Sequence, residues 1–260
     1  MSVNFSQCNS VLITGGNRGL GLQIIKHLVS ITDRPKKIIS TARNPAAAQE
    51  LQKLAQSHSE VYILPLDVVN EASIEAAVKE VASIVGPAGL TCLINNAGMA
   101  IHDDINTMTR DTMLTTFQCN AAAPLFITKA FLPLLRAAAA SVGVGSKMGV
   151  HRSAVINMSS IFGSIQENSG GGEFAQFRVC SYRVSKTALN MATRCLAIEL
   201  QSDGILCVAV HPGWVSTDMG GEQAPLTPEE SISSLLAVIS KMSEKDHGEF
   251  LDYEGNRVAW

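Results

Sequence analysis

Short apolar runs alternate along the chain with longer segments in which apolar residues recur every three or four positions. The runs are rich in β-branched residues and predict strands, whereas the longer segments have the period of an amphipathic helix. The predicted strands are residues 11–14, 37–41, 61–64, 91–95, 154–158 and 205–210, with a last strand near Phe250. The predicted helices are residues 19–30, 45–57, 73–85, 110–138, 181–201 and 228–242.

This alternation of strand and helix predicts an α/β fold. Because the strand runs lack polar alternation, we expect helices to cover both faces of the sheet. Right-handed crossovers then give a Rossmann-type, doubly wound parallel sheet of about seven strands. The 260 residues fit a single domain, residues 1–260, and no repeat or low-complexity linker divides the sequence.

Two stretches interrupt the rhythm and are predicted to be loops. Residues 139–152 are small and contain glycine, which is typical of a surface connection between a helix and a strand. Residues 162–180 contain three consecutive glycines and lie directly before Tyr182, so this second loop is also a candidate active-site flap.

The charge balance argues against several classes of partner. With 20 Lys and Arg against 23 Asp and Glu, the formal net charge is -3, which provides no basic face for nucleic acid and no polybasic membrane anchor. No apolar run reaches about 18 residues, so no membrane span is expected. The first strand begins too early to leave room for a removable signal. A small-molecule ligand is the expectation.

Cysteine and histidine positions indicate a cytoplasmic protein without a metal centre. The six cysteines show no Cys-x-x-Cys spacing, which favours reduced thiols, and the six histidines show no close ligand pairing. Cys180 lies two residues before Tyr182. It is either an inert buried thiol or a thiol that makes the activity sensitive to modification.

A glycine-rich segment between the first strand and the first helix is the candidate cofactor site. Gly15, Gly19 and Gly21 let the backbone turn sharply and let a pyrophosphate approach the helix N-terminus, although a tight turn without a ligand is the alternative. The second strand ends in Arg43, where dinucleotide sites usually carry Asp or Glu. Arg43, helped by Arg18, is therefore expected to select the 2′-phosphate of NADP, the alternative being a solvated loop cation.

Polar and small residues also follow the third and fourth strands. Asp67 either contacts the adenine amino group, or closes a turn, or caps the next helix. Asn96, Ala97 and Gly98 either let the chain pass close to the adenosine ribose or tie neighbouring strands together by side-chain hydrogen bonds.

Tyr182 and Lys186 are the candidate reactive pair. They lie at i and i+4 of a predicted helix and share one face, so the lysine ammonium favours the phenolate. A free tyrosine titrates near 10, and bringing it within two or three units of neutrality requires roughly 3 to 4 kcal/mol from the lysine and an oxidised nicotinamide. Together with the glycine-rich segment upstream, this pair implies hydride chemistry.

These residues occur in the order and context of a known family. The motifs are Thr14-Gly-x-x-x-Gly-x-Gly21, Asn95-Asn-Ala-Gly98, Asn120, Ser159-Ser160, Tyr182-x-x-x-Lys186 and Pro212-Gly213. Over nearly its whole length the sequence resembles the short-chain dehydrogenases/reductases. Four segments further resemble the sniffer-type carbonyl reductases, a branch that is also similar to bacterial C-factor proteins. They are residues 17–21, 156–160, 211–215 and 258–260.

The resemblance implies four catalytic residues. Tyr182 is the general acid, Ser160 holds the substrate oxygen, and Lys186 supports the phenol and reaches the nicotinamide ribose. Asn120 holds a water near the lysine and so replenishes the proton.

The resemblance also implies a binding site for NADP(H). Pro212 and Gly213 supply backbone around the nicotinamide carboxamide, and Thr217 either adds a hydroxyl contact or caps a helix in a mobile loop. The expected cofactor-binding residues are Gly15, Asn17, Arg18, Gly19, Leu20, Gly21, Arg43, Asp67, Val68, Asn96, Ala97, Gly98, Tyr182, Lys186, Pro212, Gly213, Val215 and Thr217.

One departure from the usual family pattern concerns the 22 positions from Ser160 to Tyr182, several more than is common. An added flap there would cover the substrate or shield the helices through which relatives associate. We expect a homodimer. Five apolar residues are expected either to wall a substrate pocket or simply to pack. They are Phe162, Phe174, Phe177, Trp214 and Met219.

Three functions are compatible with these motifs. The first is an NADPH-dependent reductase of aldehydes, ketones or quinones. The second is an alcohol or hydroxysteroid dehydrogenase that works oxidatively, since proton and hydride transfer are reversible. The third is a cofactor-sensing signalling protein with little turnover, because a fold alone does not establish an activity.

Overall fold

Seven parallel strands form one sheet in the computed structural model, which describes residues 3–143, 145–169 and 177–260. The strands are β1 (Ser10–Ile13), β2 (Lys37–Ala42), β3 (Val61–Pro65), β4 (Cys92–Asn95), β5 (Ala154–Met158), β6 (Leu206–His211) and β7 (Phe250–Asp252). Their order is β3-β2-β1-β4-β5-β6-β7, and each neighbouring pair is parallel. The chain runs outward from β1 to one edge and then returns beside β1 at β4. The predicted doubly wound fold is confirmed.

Helices cover both faces of the sheet. They are α1 (Gly19–Ser30), α2 (Gln49–Ser57), α3 (Glu71–Val85), α4 (Arg110–Phe117), α5 (Ala123–Ser141), α6 (Cys180–Leu200) and α7 (Pro228–Ile239). Apolar side chains of α1, α2 and α7 share one buried cluster, and those of α3, α5 and α6 share the other. The sheet is therefore the middle of three layers.

Each strand sends alternate side chains into these two clusters. In β1, Val11 and Ile13 lie in the cluster with α1 and α7, whereas Leu12 lies in the cluster with α3 and α5. All three are fully buried. This is why the strands appear in the sequence as unbroken apolar runs.

Several helix ends differ from the predicted ones. Residues 45–47 form a separate 3₁₀ turn, so α2 begins at Gln49. The Asn70 side chain accepts a hydrogen bond from the Ser73 N–H and caps α3, which begins at Glu71. Helix α6 begins one residue earlier than predicted, at Cys180, and α7 ends three residues earlier, at Ile239.

The prediction of one regular helix over residues 110–138 was wrong. One turn of π-helix, Gln118–Ala122, separates α4 from α5, and the Ala123 N–H bonds to the Gln118 carbonyl five residues back. Apolar periodicity continues across such an insertion, so the sequence pattern did not reveal it. The turn contains Asn120, whose side chain is buried.

The combined helix Arg110–Ser141 is also long and apolar enough to cross a membrane by length and composition, judged over the described part of the chain. Its most apolar window has a mean hydropathy of 1.3, although polar residues interrupt the apolar run. Ile127, Phe131 and Leu135 pack in the core against the sheet. The core helix of a globular α/β protein passes the same test.

Candidate active site

The candidate residues meet at the edge of the sheet where its parallel strands end. The glycine segment follows β1, Arg43 follows β2, Asn96 follows β4, Ser160 lies two residues after β5, and Pro212 follows β6. Strand order reverses between β1 and β4, and ligands of open α/β sheets bind in the crevice beside such a point. The fold thus brings sequence-distant segments to one cleft.

The glycine segment forms a tight turn into α1 that side chains would obstruct. Gly15 and Gly19 have φ angles of 68° and 54°, in the region that favours glycine. A Cβ atom built on Gly21 would collide with the Gly15 carbonyl oxygen and lie 2.6 Å from Asn96 Nδ2. A Cβ on Gly16 would collide with the Ser40 hydroxyl, a packing requirement that sequence reasoning missed.

The N-terminus of α1 offers its backbone N–H groups to this cleft. Arg18 is the N-cap residue, no side chain caps the helix, and the first turn contains no acidic residue. Unpaired N–H groups and the positive end of the helix dipole suit an anion such as a pyrophosphate. The Arg18 guanidinium makes an exposed ion pair of 3.1 Å with Asp218, which joins the glycine segment to the chain after β6.

Arg43 is exposed directly after β2, and within the described residues no hydrogen bond or ion pair engages its guanidinium. Asp67 and Val68 lie partly buried after β3. The Asp67 carboxylate accepts a hydrogen bond from the Val69 N–H, which closes a turn. Asn70 caps α3, so the helix-capping alternative for Asp67 is excluded. The alternative in which Asp67 closes a turn is the one observed.

The segment after β4 is tied to the glycine segment through side chains. The Thr14 hydroxyl accepts hydrogen bonds of 3.0 Å from the N–H groups of Asn96 and Ala97. The Asn96 amide donates to the Thr14 carbonyl at 2.8 Å and to the Gly15 carbonyl at 3.2 Å. Asn96 therefore performs the strand-tying role that was one of its two alternatives.

Tyr182 and Lys186 lie on one face of α6, as the spacing predicts. Lys186 is buried, its Nζ atom donates to the Met158 carbonyl at 2.7 Å, and Nζ lies 5.5 Å from the centroid of the Tyr182 ring. The Ser160 hydroxyl accepts the Phe162 N–H at 3.2 Å, and it lies close enough to the Tyr182 phenol to lower the pKa of that phenol. The serine, the phenol and the ammonium thus form one cluster at the end of β5.

Burial controls the titration of this pair. Removal from water raises the pKa of Tyr182 to about 12, and the nearby Ser160 hydroxyl opposes that rise. Removal from water lowers the pKa of Lys186 to about 8, opposed by the nearby Cys119 thiol. The expected lowering of the Tyr182 pKa required the lysine together with an oxidised nicotinamide, and in the protein alone the effect of burial outweighs it.

Asn120 uses its amide to join three segments. Its Oδ1 accepts the Met99 N–H at 2.9 Å, and its Nδ2 donates to the Met99 carbonyl at 2.8 Å and to the Ser185 hydroxyl at 3.0 Å. Ser185 in turn donates to the Tyr182 carbonyl at 2.7 Å. A Cβ atom built on Gly98 would lie 3.2 Å from Asn120 Oδ1 and 3.7 Å from Lys186 Nζ, so the missing side chain leaves a gap between them.

The chain after β6 is held by its own hydrogen bonds. The Pro212 carbonyl accepts the Ser231 hydroxyl of α7 at 2.6 Å, and Gly213 has a φ of 86° beside the Tyr253 ring. Val215 forms a parallel bridge with Leu226. The Thr217 hydroxyl accepts the Gly220 N–H at 3.2 Å and so closes a turn, whereas no helix begins at residues 217–220 for it to cap.

Aromatic side chains adjoin the reactive cluster. The Phe162 ring lies 6.3 Å from Tyr182 and 5.7 Å from Phe177, and Phe177 lies 5.2 Å from Trp214. Three of the five expected pocket residues therefore form one row of rings, and Phe162 at its end lies beside the phenol. Met219 is half exposed, and the prediction for Phe174, like that of glycines 170–172, falls outside the described residues.

Residues 9–226 match the short chain dehydrogenase family. The chain belongs to this family. The structure of carbonyl reductase Sniffer of D. melanogaster is similar with a TM-score of 0.91 and 43% identity, covering 97% of this chain and 99% of that one. NADPH-bound carbonyl reductase from chicken fatty liver gives a TM-score of 0.92 and 44% identity, covering 97% and 94%. C-signal of Myxococcus xanthus is 38% identical over 169 residues, which is 65% of this chain and 91% of that protein.

These similarities confirm the resemblance to the short-chain dehydrogenases and to the sniffer-type carbonyl reductases. The chain is an oxidoreductase of this family, whose enzymes act on small molecules. Within the described residues, no group of three or more His, Cys, Asp or Glu side chains is arranged to hold a metal ion.

Some residues of this short-chain dehydrogenase site were not found from the sequence. Ser185 lies inside the Tyr182-x-x-x-Lys186 motif, and that position was the available signal. Cys119 lies in the π turn, and burial raises the pKa of its thiol. The charges of Lys186, Arg43 and Asp67 are close enough to affect that pKa as well. No sequence pattern indicated this position, because the π turn itself was not predicted.

Proposed function

We propose that this short-chain dehydrogenase is an NADPH-dependent carbonyl reductase that reduces an aldehyde, ketone or quinone, with Tyr182 as the general acid. The observation that carries this proposal is the cluster of Ser160, Tyr182 and Lys186 beside the glycine segment at the end of the sheet. The two similar structures at 43% and 44% identity are named carbonyl reductases, and one of them is NADPH-bound.

The residues of the cleft fit a dinucleotide. A Cβ on Gly21 would fill the space between α1 and the Gly15 carbonyl, and the first turn of α1 has N–H groups without a side-chain cap. Asn17, Arg18, Gly19 and Leu20 belong to the same turn, which would hold the pyrophosphate. The remaining expected contacts lie at the ends of neighbouring strands. They are Asp67, Val68, Asn96, Ala97, Gly98, Pro212, Gly213, Val215 and Thr217.

Arg43 supports the choice of NADPH over NADH. Its guanidinium is exposed at the end of β2, where a ribose 2′-phosphate is read in this fold, and no acidic side chain among the described residues pairs with it. A guanidinium binds a phosphate through two parallel hydrogen bonds, whereas a carboxylate at the same position would repel it.

The chemical step divides between the cofactor and the protein. When bound, NADPH would supply the hydride for the carbonyl carbon. Tyr182 donates its phenolic proton to the carbonyl oxygen, so that an alcohol forms, and Ser160 holds that oxygen by a hydrogen bond that strengthens as negative charge develops. Lys186 carries the positive charge that offsets the phenolate left behind.

The Tyr182 hydroxyl keeps its proton at neutral pH, as a general acid requires, and burial raises its pKa to about 12. Because proton transfer by this phenol is reversible, the reductive direction of the proposal rests on the choice of NADPH.

We infer that the gap at Gly98 lets Tyr182 recover its proton. Asn120 Oδ1 accepts one hydrogen bond from Met99, and an amide oxygen has a second lone pair. A water between Asn120 and Lys186 would complete a path from solvent to the ammonium and onward to the phenol.

The Tyr182→Phe variant tests the acid. NADPH consumption is measured with quinones, aromatic aldehydes and ketosteroids, and NADPH binding is measured separately by fluorescence. The variant should lose about 10²- to 10⁴-fold in kcat while its affinity for NADPH is kept. Tyr62→Phe, a tyrosine of β3, is the matched control and should remain active. Undiminished turnover in Tyr182→Phe defeats the proposal, and no turnover of the wild type across the panel would favour the sensing function instead.

The Arg43→Asp variant tests cofactor choice. It should raise the Michaelis constant for NADPH by about 10-fold or more and leave that for NADH unchanged or lower, because one charge-assisted phosphate contact is worth about 1.5–3 kcal/mol. Lys79→Asp makes the same change in net charge at an exposed site on α3 and serves as the control. An unchanged ratio of the two constants in Arg43→Asp would refute this role.

We also propose a cytoplasmic homodimer. All six cysteines are free thiols, as a reducing compartment maintains them. Val184, Met191 and Ile198 are exposed at seven-residue intervals along α6 and so form one apolar stripe. A second copy of this chain would cover it. Ile198→Glu should then convert a dimer into a monomer in sedimentation experiments, and a wild type that sediments as a monomer would refute the dimer.

A further inference from the structure

Helix α6 begins without a local cap, although it carries Tyr182 in its first turn. Val179 occupies the N-cap position and has no side-chain acceptor for the free N–H groups of that turn. Uncapped helix ends leave donors unpaired and open locally more often than helix interiors. A phenol on such a turn would be poorly fixed.

A buried carboxylate from another part of the chain supplies the missing acceptor. Asp103 lies in the segment between β4 and α4 and is only 3% exposed. Its Oδ1 accepts the Ser181 N–H at 3.0 Å across 78 residues of sequence, and its Oδ2 accepts the Ser181 hydroxyl. Both carboxylate oxygens are therefore bonded to the residue that precedes Tyr182.

The backbone strengthens this connection on both sides. The Asp103 N–H donates to the Arg178 carbonyl at 3.0 Å, and the Cys180 N–H donates to the Asp103 carbonyl at 3.1 Å. Asp103 and Val179 pair as an isolated parallel bridge. The beginning of α6 is thus held to the segment after β4 by four hydrogen bonds.

The same segment is fixed at its other end by the candidate active site. Met99 exchanges two backbone hydrogen bonds with the Asn120 amide, and Asn120 reaches the Tyr182 carbonyl through the Ser185 hydroxyl. Asp103 lies four residues beyond Met99. Hydrogen bonds therefore hold the first turn of α6 at two points. Asp103 bonds to Ser181, before Tyr182, and Ser185 bonds to the Tyr182 carbonyl.

Burying the Asp103 carboxyl group costs free energy, which indicates that it has a specific structural role at the start of α6. A carboxyl group this far from water is tolerated only when it is hydrogen-bonded, and a serine or aspartate at position 179 would cap α6 without that cost. Capping from a distance does what a local cap does not, because it fixes the position of α6 relative to β4 as well as its first turn.

We propose that Asp103 is a positioning residue, which caps α6 from the segment after β4 and so holds the Tyr182 phenol against Ser160. This role rests on the proposed function of Tyr182 as the acid. Asp103 contacts neither the phenol nor the ammonium in the described contacts, and it acts through Ser181.

Asp103→Ala, Asp103→Asn and Ser181→Ala form the test series. Asp103→Ala should lower kcat about 10- to 100-fold and keep the affinity for NADPH within about twofold of the wild type, because misplacing a catalytic group by about 1 Å costs up to 10² in rate. Asp103→Asn keeps one acceptor oxygen and should retain more activity. The double variant Asp103→Ala/Ser181→Ala should be no worse than Asp103→Ala, since both changes break one connection.

Two readouts do not depend on turnover. Amide exchange at Ser181 and Tyr182 should be at least about 10-fold faster in Asp103→Ala. Tyrosinate absorbance, recorded with Tyr62 and Tyr253 replaced by Phe, should show that the Tyr182 pKa falls toward its ordinary value as the loosened turn admits water. The control is Asp111→Ala, an exposed carboxylate, which should change none of these quantities.

The outcomes separate the two proposals. An inactive wild type would refute the reductase, while exchange and phenol titration would still decide whether Asp103 positions Tyr182. Unchanged titration and exchange in Asp103→Ala, or kcat within about twofold of the wild type, would overturn the positioning role. If Asp103→Ala does not fold, Asp103→Asn and Ser181→Ala decide by the same measurements.

Discussion

Lys186→Met should remove a pH dependence of stability that burial of the ammonium creates. Lys186 is 5% exposed, and removal from water lowers its pKa from 10.5 to about 8. Between these values the unfolded chain binds a proton that the folded protein does not, so the stability of the wild type rises with pH across this window. The full effect is about 3 kcal/mol, and most of it lies between pH 7 and pH 10.

Urea unfolding of the wild type and Lys186→Met, both without cofactor, measures this effect at pH 7, 8, 9 and 10. Methionine has nearly the same length and no charge, so the other titrating groups cancel when the two unfolding free energies are subtracted. The variant also loses the hydrogen bond to the Met158 carbonyl. This loss changes the difference in unfolding free energy by the same amount at every pH and leaves its pH dependence unchanged. If the difference between the two unfolding free energies stays constant within about 0.5 kcal/mol from pH 7 to pH 10, the Lys186 ammonium is not desolvated in the folded protein.

Three further predictions concern the glycine segment, the proton path and acid stability. Gly21→Ala should weaken NADPH binding at least about 10-fold in a fluorescence titration, because its Cβ would collide with the Gly15 carbonyl; unaltered binding would refute this packing. Gly98→Ala should lower kcat about 10-fold by filling the gap beside Lys186, and an unchanged kcat would exclude a water there. Burial lowers the pKa of His211 from 6.5 to about 4, so the unfolded chain binds the extra proton and the wild type loses about 3 kcal/mol as pH falls through that window. His211→Asn should unfold in urea without this loss, and an equal loss in both proteins would contradict it.

The strands, the order of strand and helix, and the glycine turn could all be predicted from the amino-acid sequence. These features depend on neighbours in the chain, since apolar periodicity sets the element type and glycine alone tolerates the backbone of Gly15. The i and i+4 spacing likewise placed Tyr182 and Lys186 on one helix face. The break at Gln118–Ala122 escaped prediction, because an inserted π turn leaves the apolar pattern intact.

Tertiary structure decided how these residues are held and how they titrate. Asp103 reaches Ser181 across 78 positions, and Asn120 reaches Ser185 across 65, so no local pattern indicated either contact. The pKa values of Tyr182 and Lys186 move in the directions set by burial, which depends on how β5, α6 and the π turn pack together. Local sequence selects the helices and strands. The distances between site residues and their exposure to water are set only when remote segments of the chain pack together.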